Sequence, residues 1–103
     1  MRRGEIWLYE PKGSPRSRLV VLVSAQGVLD STRRQLIAVD VRDRDPGDIL
    51  AVSIATAGEE PAWVLGNDTS RVFRHWLAEQ VGRLTAEELS RLDTMLRLAL
   101  GLD

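Results

Sequence analysis

Leu19-Val20-Val21-Leu22-Val23, bracketed by Arg18 and Ser24, is an unbroken aliphatic run too short for a typical helix and apolar at every position. A strand with no polar face must be covered on both sides, so this run predicts a central strand of a sheet. N-terminal to it, Gly4-Glu5-Ile6-Trp7-Leu8-Tyr9 mixes aromatic and aliphatic residues and stops at Pro11, Gly13 and Pro15, the pattern of a first strand followed by a loop. C-terminal to it, residues 26–32 form a turn or short helix, and Gln35-Leu36-Ile37-Ala38-Val39-Asp40-Val41 forms another strand. That strand runs into Arg42-Asp43-Arg44-Asp45-Pro46-Gly47-Asp48, where alternating charges ending in Pro-Gly mark a loop. Residues 49–54 and 62–65 make two further short strands separated by Gly58-Glu59-Glu60-Pro61, and Gly66-Asn67-Asp68 signals a turn before a last strand over 70–76. Short strands closely spaced by turns predict a barrel or a sandwich.

The periodicity then changes. Thr85-Ala86-Glu87-Glu88 is a capping box, in which the Thr hydroxyl takes the backbone N–H three residues on and Glu88 reaches back. Leu89, Leu92, Leu96 and Ala99 follow at spacings of three and four, one apolar stripe that covers the sheet, and Gly101 is placed to end the helix in a left-handed cap. The architecture expected is α+β and mainly β: an SH3-like β-barrel with a C-terminal helix, with residues 1–103 as a single domain.

With 44% hydrophobic and 28% charged residues the composition is that of a folded globular chain rather than of a disordered one. Without cysteine, neither a disulfide framework nor a thiolate metal site can form, and a reducing cytoplasm is the compartment expected. No apolar stretch approaches the ~18 residues that span a membrane, and neither signal peptide nor membrane helix is expected. The net charge of −1 hides an asymmetry, because residues 1–44 hold eight Arg and Lys12 against five acids whereas residues 45–103 hold five Arg against ten. Such a division either marks an anionic partner on one side of the molecule or disappears when the chain folds.

Most familiar chemistries are excluded by what is absent. His75 is the single histidine and the acids are scattered, so no zinc site is expected, and His75 reads as a structural residue of a strand. A nucleophile elbow and a phosphate-cradling glycine loop are missing as well. What remains is Arg18 at the head of the buried strand, where a rigid scaffold can present a guanidinium to a phosphate and stabilise the charge that builds on it during cleavage. The alternative for Arg18 is an ordinary solvated strand-edge residue. Arg16, Arg42 and Arg44 in the adjoining loops are phosphate contacts on the same reasoning, or plain surface charge.

Three segments stand in the order and spacing shown by the MazF/PemK family of toxins. Arg3-Gly4-Glu5-Ile6-Trp7 resembles that family's first strand, and Arg18-Leu19-Val20-Val21-Leu22-Val23-Ser24 is similar to its Arg-Pro-Val-Val-Val-Val-Ser strand. Val81-Gly82-Arg83-Leu84-Thr85, leading to Leu98-Ala99-Leu100-Gly101-Leu102, is similar to its closing helix. The resemblance implies the toxin of a type II toxin–antitoxin system. It would be a homodimer that cuts single-stranded RNA without metal or cofactor, through the 2′-hydroxyl, and is inhibited by a cognate antitoxin.

Carried over residue by residue, Arg18 falls on the family's catalytic Arg, and Leu19 stands where a proline usually follows it. The family's next catalytic position, a Thr or Ser after the third strand, falls near Arg42, or on Asp40 or Val41 if the register shifts; residues 36–50 contain no hydroxyl. The acid that some relatives use as base falls on Asn67, beside Asp68. The site implied is therefore Arg18, Arg42 and Asp40 for catalysis, with Arg16, Arg44, Asn67 and Asp68 along the RNA. The altered positions leave a second reading open, a non-catalytic toxin or binding module of the same fold, such as a gyrase-targeting CcdB-like protein.

Overall fold

The computed structural model describes residues 1–55 and 60–102. It contains β1 (Glu5–Tyr9), β2 (Arg18–Leu22), α1 (Gln26–Leu29), β3 (Gln35–Asp40), β4 (Ala51–Ala55), β5 (Pro61–Leu65), β6 (Thr69–Phe73), a 3₁₀ turn (Arg74–Trp76), β7 (Leu77–Arg83) and α2 (Ala86–Leu100). Five strands form one sheet in the order β6-β3-β2-β1-β7, and β4 and β5 form a separate hairpin. Every pairing is antiparallel. The expected barrel is thus built as two open sheets. They meet where Arg42 and Trp63 exchange backbone hydrogen bonds of 2.8 and 2.9 Å.

The central aliphatic run occupies the middle of the larger sheet, covered on both faces as its composition requires. Because strand side chains alternate, Val21 and Val23 enter one apolar cluster while Val20 and Leu22 enter the other. The first cluster joins Ile6 and Val39 to the hairpin through Val52, Ile54 and Val64, and to the helix through Leu92 and Leu96. The second gathers Tyr9, Leu29, Leu36, Ala38 and Val72, with Trp7 and Trp76 packed against it.

The capping box of α2 is complete: Glu88 N donates to Thr85 Oγ1 at 3.1 Å, and Thr85 N donates to Glu88 Oε1 at 2.8 Å. Glu88 does more than cap, since its other oxygen accepts a 2.7 Å bond from Ala55 N and ties the helix start to the end of β4. Gly101, at φ 72°, closes the helix in the left-handed conformation that glycine adopts without steric cost. The hairpin comes so close to the helix at Gly66 that a Cβ there would lie 2.6 Å from the Met95 backbone, so any side chain must push the two elements apart.

Five expectations are corrected. The apolar stripe ends one turn early, because Ala99 is exposed together with the rest of the last turn. The strand expected over 49–54 is Ala51–Ala55, with Ile49 left 87% exposed in the preceding loop. The short helix expected in 26–32 stops at Leu29. The last strand ends at Phe73, where Arg74 N still donates in register to Arg34 O at 2.7 Å, and 74–76 turn into a 3₁₀ segment whose Arg74 guanidinium reaches the carbonyls of Val28, Leu29 and Arg33. His75 therefore sits exposed on that turn instead of inside a strand. Finally, β7 carries no sequence signal: it is an edge strand with largely solvated side chains, held by its backbone ladder to β1. The separator Gly58-Glu59-Glu60-Pro61 lies partly outside the described residues.

Candidate active site

Arg18 opens β2, and the ladder decides what it meets. Tyr9 pairs with Arg18 and Val20 pairs with Asp40, so Tyr9, Arg18 and Asp40 share one face of the sheet. Arg18 Nε donates to Asp40 Oδ1 at 3.0 Å, and the guanidinium carbon stands 5.0 Å from the centre of the Tyr9 ring. Two sides of the guanidinium are thereby held, and its terminal nitrogens are left to reach outward; the side chain is 39% exposed.

Beside it lies an open groove of about 670 Å³, lined by Arg18, Arg42, Arg44, Asp43, Asp45 and Glu60 among others. Arg42 is fixed by backbone and side chain together. Its main chain bridges to Trp63, while Nε and Nη2 donate to Asp68 Oδ2 at 3.3 and 3.1 Å. The structure thus brings Arg18, Asp40, Arg42 and Arg44 to one mouth. Asp68, expected along the RNA, accepts the bonds that position Arg42. Arg16 is exposed in the β1–β2 loop, and Asn67 is exposed in the turn before β6; neither lines the groove.

The charge balance of the groove differs from the one expected of the basic first half of the chain. Among the described residues its three arginines share the lining with three carboxylates, those of Asp43, Asp45 and Glu60, and Arg18 is paired with Asp40 besides. No hydroxyl side chain lines the groove among the described residues. Among the described residues no group of three or more His, Asp or Glu side chains is placed to hold a metal ion, and no helix is long and apolar enough to cross a membrane.

Arg74 was not singled out from the sequence. Its guanidinium donates to Leu29 O at 2.9 Å, Val28 O at 3.2 Å and Arg33 O at 2.9 Å, closing the C-terminal end of α1 and pinning the loop that follows. No local pattern reveals this, because the partners lie about forty residues away.

No protein-family model matches the chain, and no curated protein does either. Solved structures do. An endoribonuclease from a mycobacterial species, in complex with its cognate antitoxin, superposes with a TM-score of 0.81 at 17% identity over 100% of this chain and 95% of its own. The Mycobacterium tuberculosis toxin MazF-mt6 gives 0.81 at 18% identity over 96% and 98% of the two chains. A MazE–MazF complex from Deinococcus radiodurans gives 0.77 at 22% identity over 97% and 94%. Likeness at these identities establishes architecture, and from end to end the chain has the fold of the MazF toxins.

Proposed function

We propose that the chain is the toxin of a toxin–antitoxin pair and cleaves single-stranded RNA at the Arg18 mouth of the groove. The observation that carries this reading is the Arg18–Asp40 pair, a guanidinium and a carboxylate 3.0 Å apart at an open surface. In the reaction the 2′-oxygen attacks the neighbouring phosphorus, the bond to the 5′-oxygen breaks, and a cyclic phosphate and a 5′-hydroxyl result. Arg18 holds the non-bridging oxygens as charge develops on them. Asp40, ion-paired with Arg18, takes the proton of the 2′-hydroxyl, and the departing 5′-oxygen takes a proton from water. Arg42 and Arg44 contact the flanking phosphates. The nucleophile belongs to the substrate, so the reaction calls for neither a metal nor a protein hydroxyl.

Purified protein incubated with RNA in EDTA is expected to cut at defined positions, leaving ends that carry cyclic phosphate and 5′-hydroxyl. Intact RNA at every protein concentration would overturn the reading. The second reading, a non-catalytic toxin of the same fold, is favoured by one observation, that among the described residues no hydroxyl side chain lines the groove; that negative outcome would install it.

Two partners belong to the same proposal. The neighbours solved with an antitoxin bound make a small antitoxin the expected inhibitor, and its gene should lie directly beside this one. A homodimer is proposed from surface left unburied. Ile37, Leu98, Leu100 and Leu102 are 39%, 58%, 66% and 57% exposed, and Ile37, Leu100 and Leu102 line a largely apolar hollow of about 550 Å³. Light scattering at micromolar concentration should return twice the chain mass of 11.5 kDa; a monomer mass would remove the dimer.

A further inference from the structure

A second surface, separate from the groove, carries arginines without carboxylates beside them among the described residues. A pocket of about 440 Å³ is lined by Thr32, Arg34, Arg74 and His75, with no carboxylate among the described residues of its wall. A further hollow contains Arg33 and Arg71, again without an acid among its described residues. Arg33, Arg34 and Arg71 are exposed and make no ion pair among the described residues. The acids nearest along the chain, Asp30, Asp68 and Glu79, are not among the described residues lining either cavity; Asp30 is engaged by Gln26 at 2.9 Å and Asp68 by Arg42 at 3.1 Å.

Aromatic rings connect this cationic surface to the Arg18 mouth. Arg18 stands over Tyr9, Tyr9 lies 6.4 Å from Trp76, and Trp76 lies 5.0 Å from His75 and 4.8 Å from Phe73. His75 is exposed, while Trp76 and Phe73 are part-buried behind it. The turn that presents these rings is rigid, because Arg74 between them spends its guanidinium on carbonyls of α1 and of the loop after it. Rings beside uncompensated arginines are what a single-stranded nucleic acid binds: the bases stack on the rings and the phosphates meet the guanidinium groups.

We propose that the Thr32–Arg34–Arg74–His75 pocket is a nucleotide subsite for single-stranded RNA. A base stacks on His75 with Trp76 behind it, and the adjoining phosphates are held by Arg34 and the Thr32 hydroxyl. The strand reaches the pocket from the scissile phosphate on Arg18 past the part-exposed Trp76, with the buried Tyr9 ring beneath as support. This deepens the nuclease reading and rests on it for the nature of the strand. It also moves sequence discrimination from the charge-balanced groove to the 3₁₀ turn.

The experiment measures binding apart from cleavage. A fluorescein-labelled 2′-O-methyl RNA strand lacks the nucleophile and cannot be cut, and its anisotropy is titrated with full-length protein at several salt concentrations. His75→Ala is expected to weaken binding on the order of tenfold, the loss of one stacked base, with Phe at that position restoring most of it. Arg34→Ala should reduce the slope of log affinity against log salt by about 0.7, the release of one phosphate contact on a single strand. Both side chains are exposed, and unchanged thermal melts would show that both variants fold. If the wild type cuts RNA while both variants bind with wild-type affinity and salt slope, the subsite is overturned and the nuclease reading stands. If the strand binds through His75 and Arg34 but no RNA is cut, the subsite stands and the nuclease reading falls. A wild type that neither binds nor cuts overturns both.

Discussion

Arg18→Ala is expected to fold like the wild type and to cleave RNA on the order of 10²–10³-fold more slowly under single-turnover conditions, the usual cost of removing one preorganised donor from an active site. Folding survives because what is lost is a part-exposed ion pair with Asp40 and a ring contact with Tyr9, together worth no more than about 2 kcal/mol. Nor does Asp40 become a buried unpaired charge, since its side chain is itself 37% exposed. The rate suffers more because the same guanidinium, held by Asp40 and Tyr9, reaches the phosphate already oriented. Arg18→Lys keeps the charge but loses the planar fork, and only part of the activity should return. Cleavage by Arg18→Ala at the wild-type rate would show Arg18 to be an ordinary surface residue.

Leu92→Ala has the largest expected effect on stability. Leu92 is fully buried where α2 meets both the sheet and the hairpin, in one cluster with Ile6, Val39, Ile54 and Val64. Emptying such a site removes transfer free energy and leaves a cavity, roughly 2–5 kcal/mol in all. In a domain of this size the melting temperature should then fall by roughly 10 °C or more. Activity per folded molecule should be retained, because Leu92 does not line the groove. A variant that melted like the wild type but lost activity would place the helix in the site and refute this assignment.

Legibility followed the range of the physical signal. The buried run at 19–23, the capping box at Thr85 and the glycine stop at 101 were readable because each is a relation among residues a few positions apart, carried by alternation, by one side chain reaching its own backbone, or by glycine's freedom at positive φ. The end of the helical stripe was misjudged at Ala99, since periodicity shows which side of a helix is apolar but not how far the core beneath it extends. The strand at 77–83 was illegible for a related reason: an edge strand whose side chains face water has no amphipathic pattern to read.

The chain by itself therefore determined a mainly β domain, a central strand covered on both faces, a covering helix and a singular arginine at the head of that strand. What Arg18 meets was decided only by the tertiary structure. The pairings Tyr9–Arg18 and Val20–Asp40 put a ring and a carboxylate on its face, and a slip of one residue would have sent Arg18 to the opposite side of the sheet. The bond from Arg42 to Asp68 spans 26 positions, and the gathering of Arg34, Arg74 and His75 into one pocket joins two parts of the chain about forty residues apart. Net charge along the sequence could not foresee that the groove would be balanced and the 3₁₀ turn left cationic. Charge acts through distance in space, and in this fold strand register sets those distances.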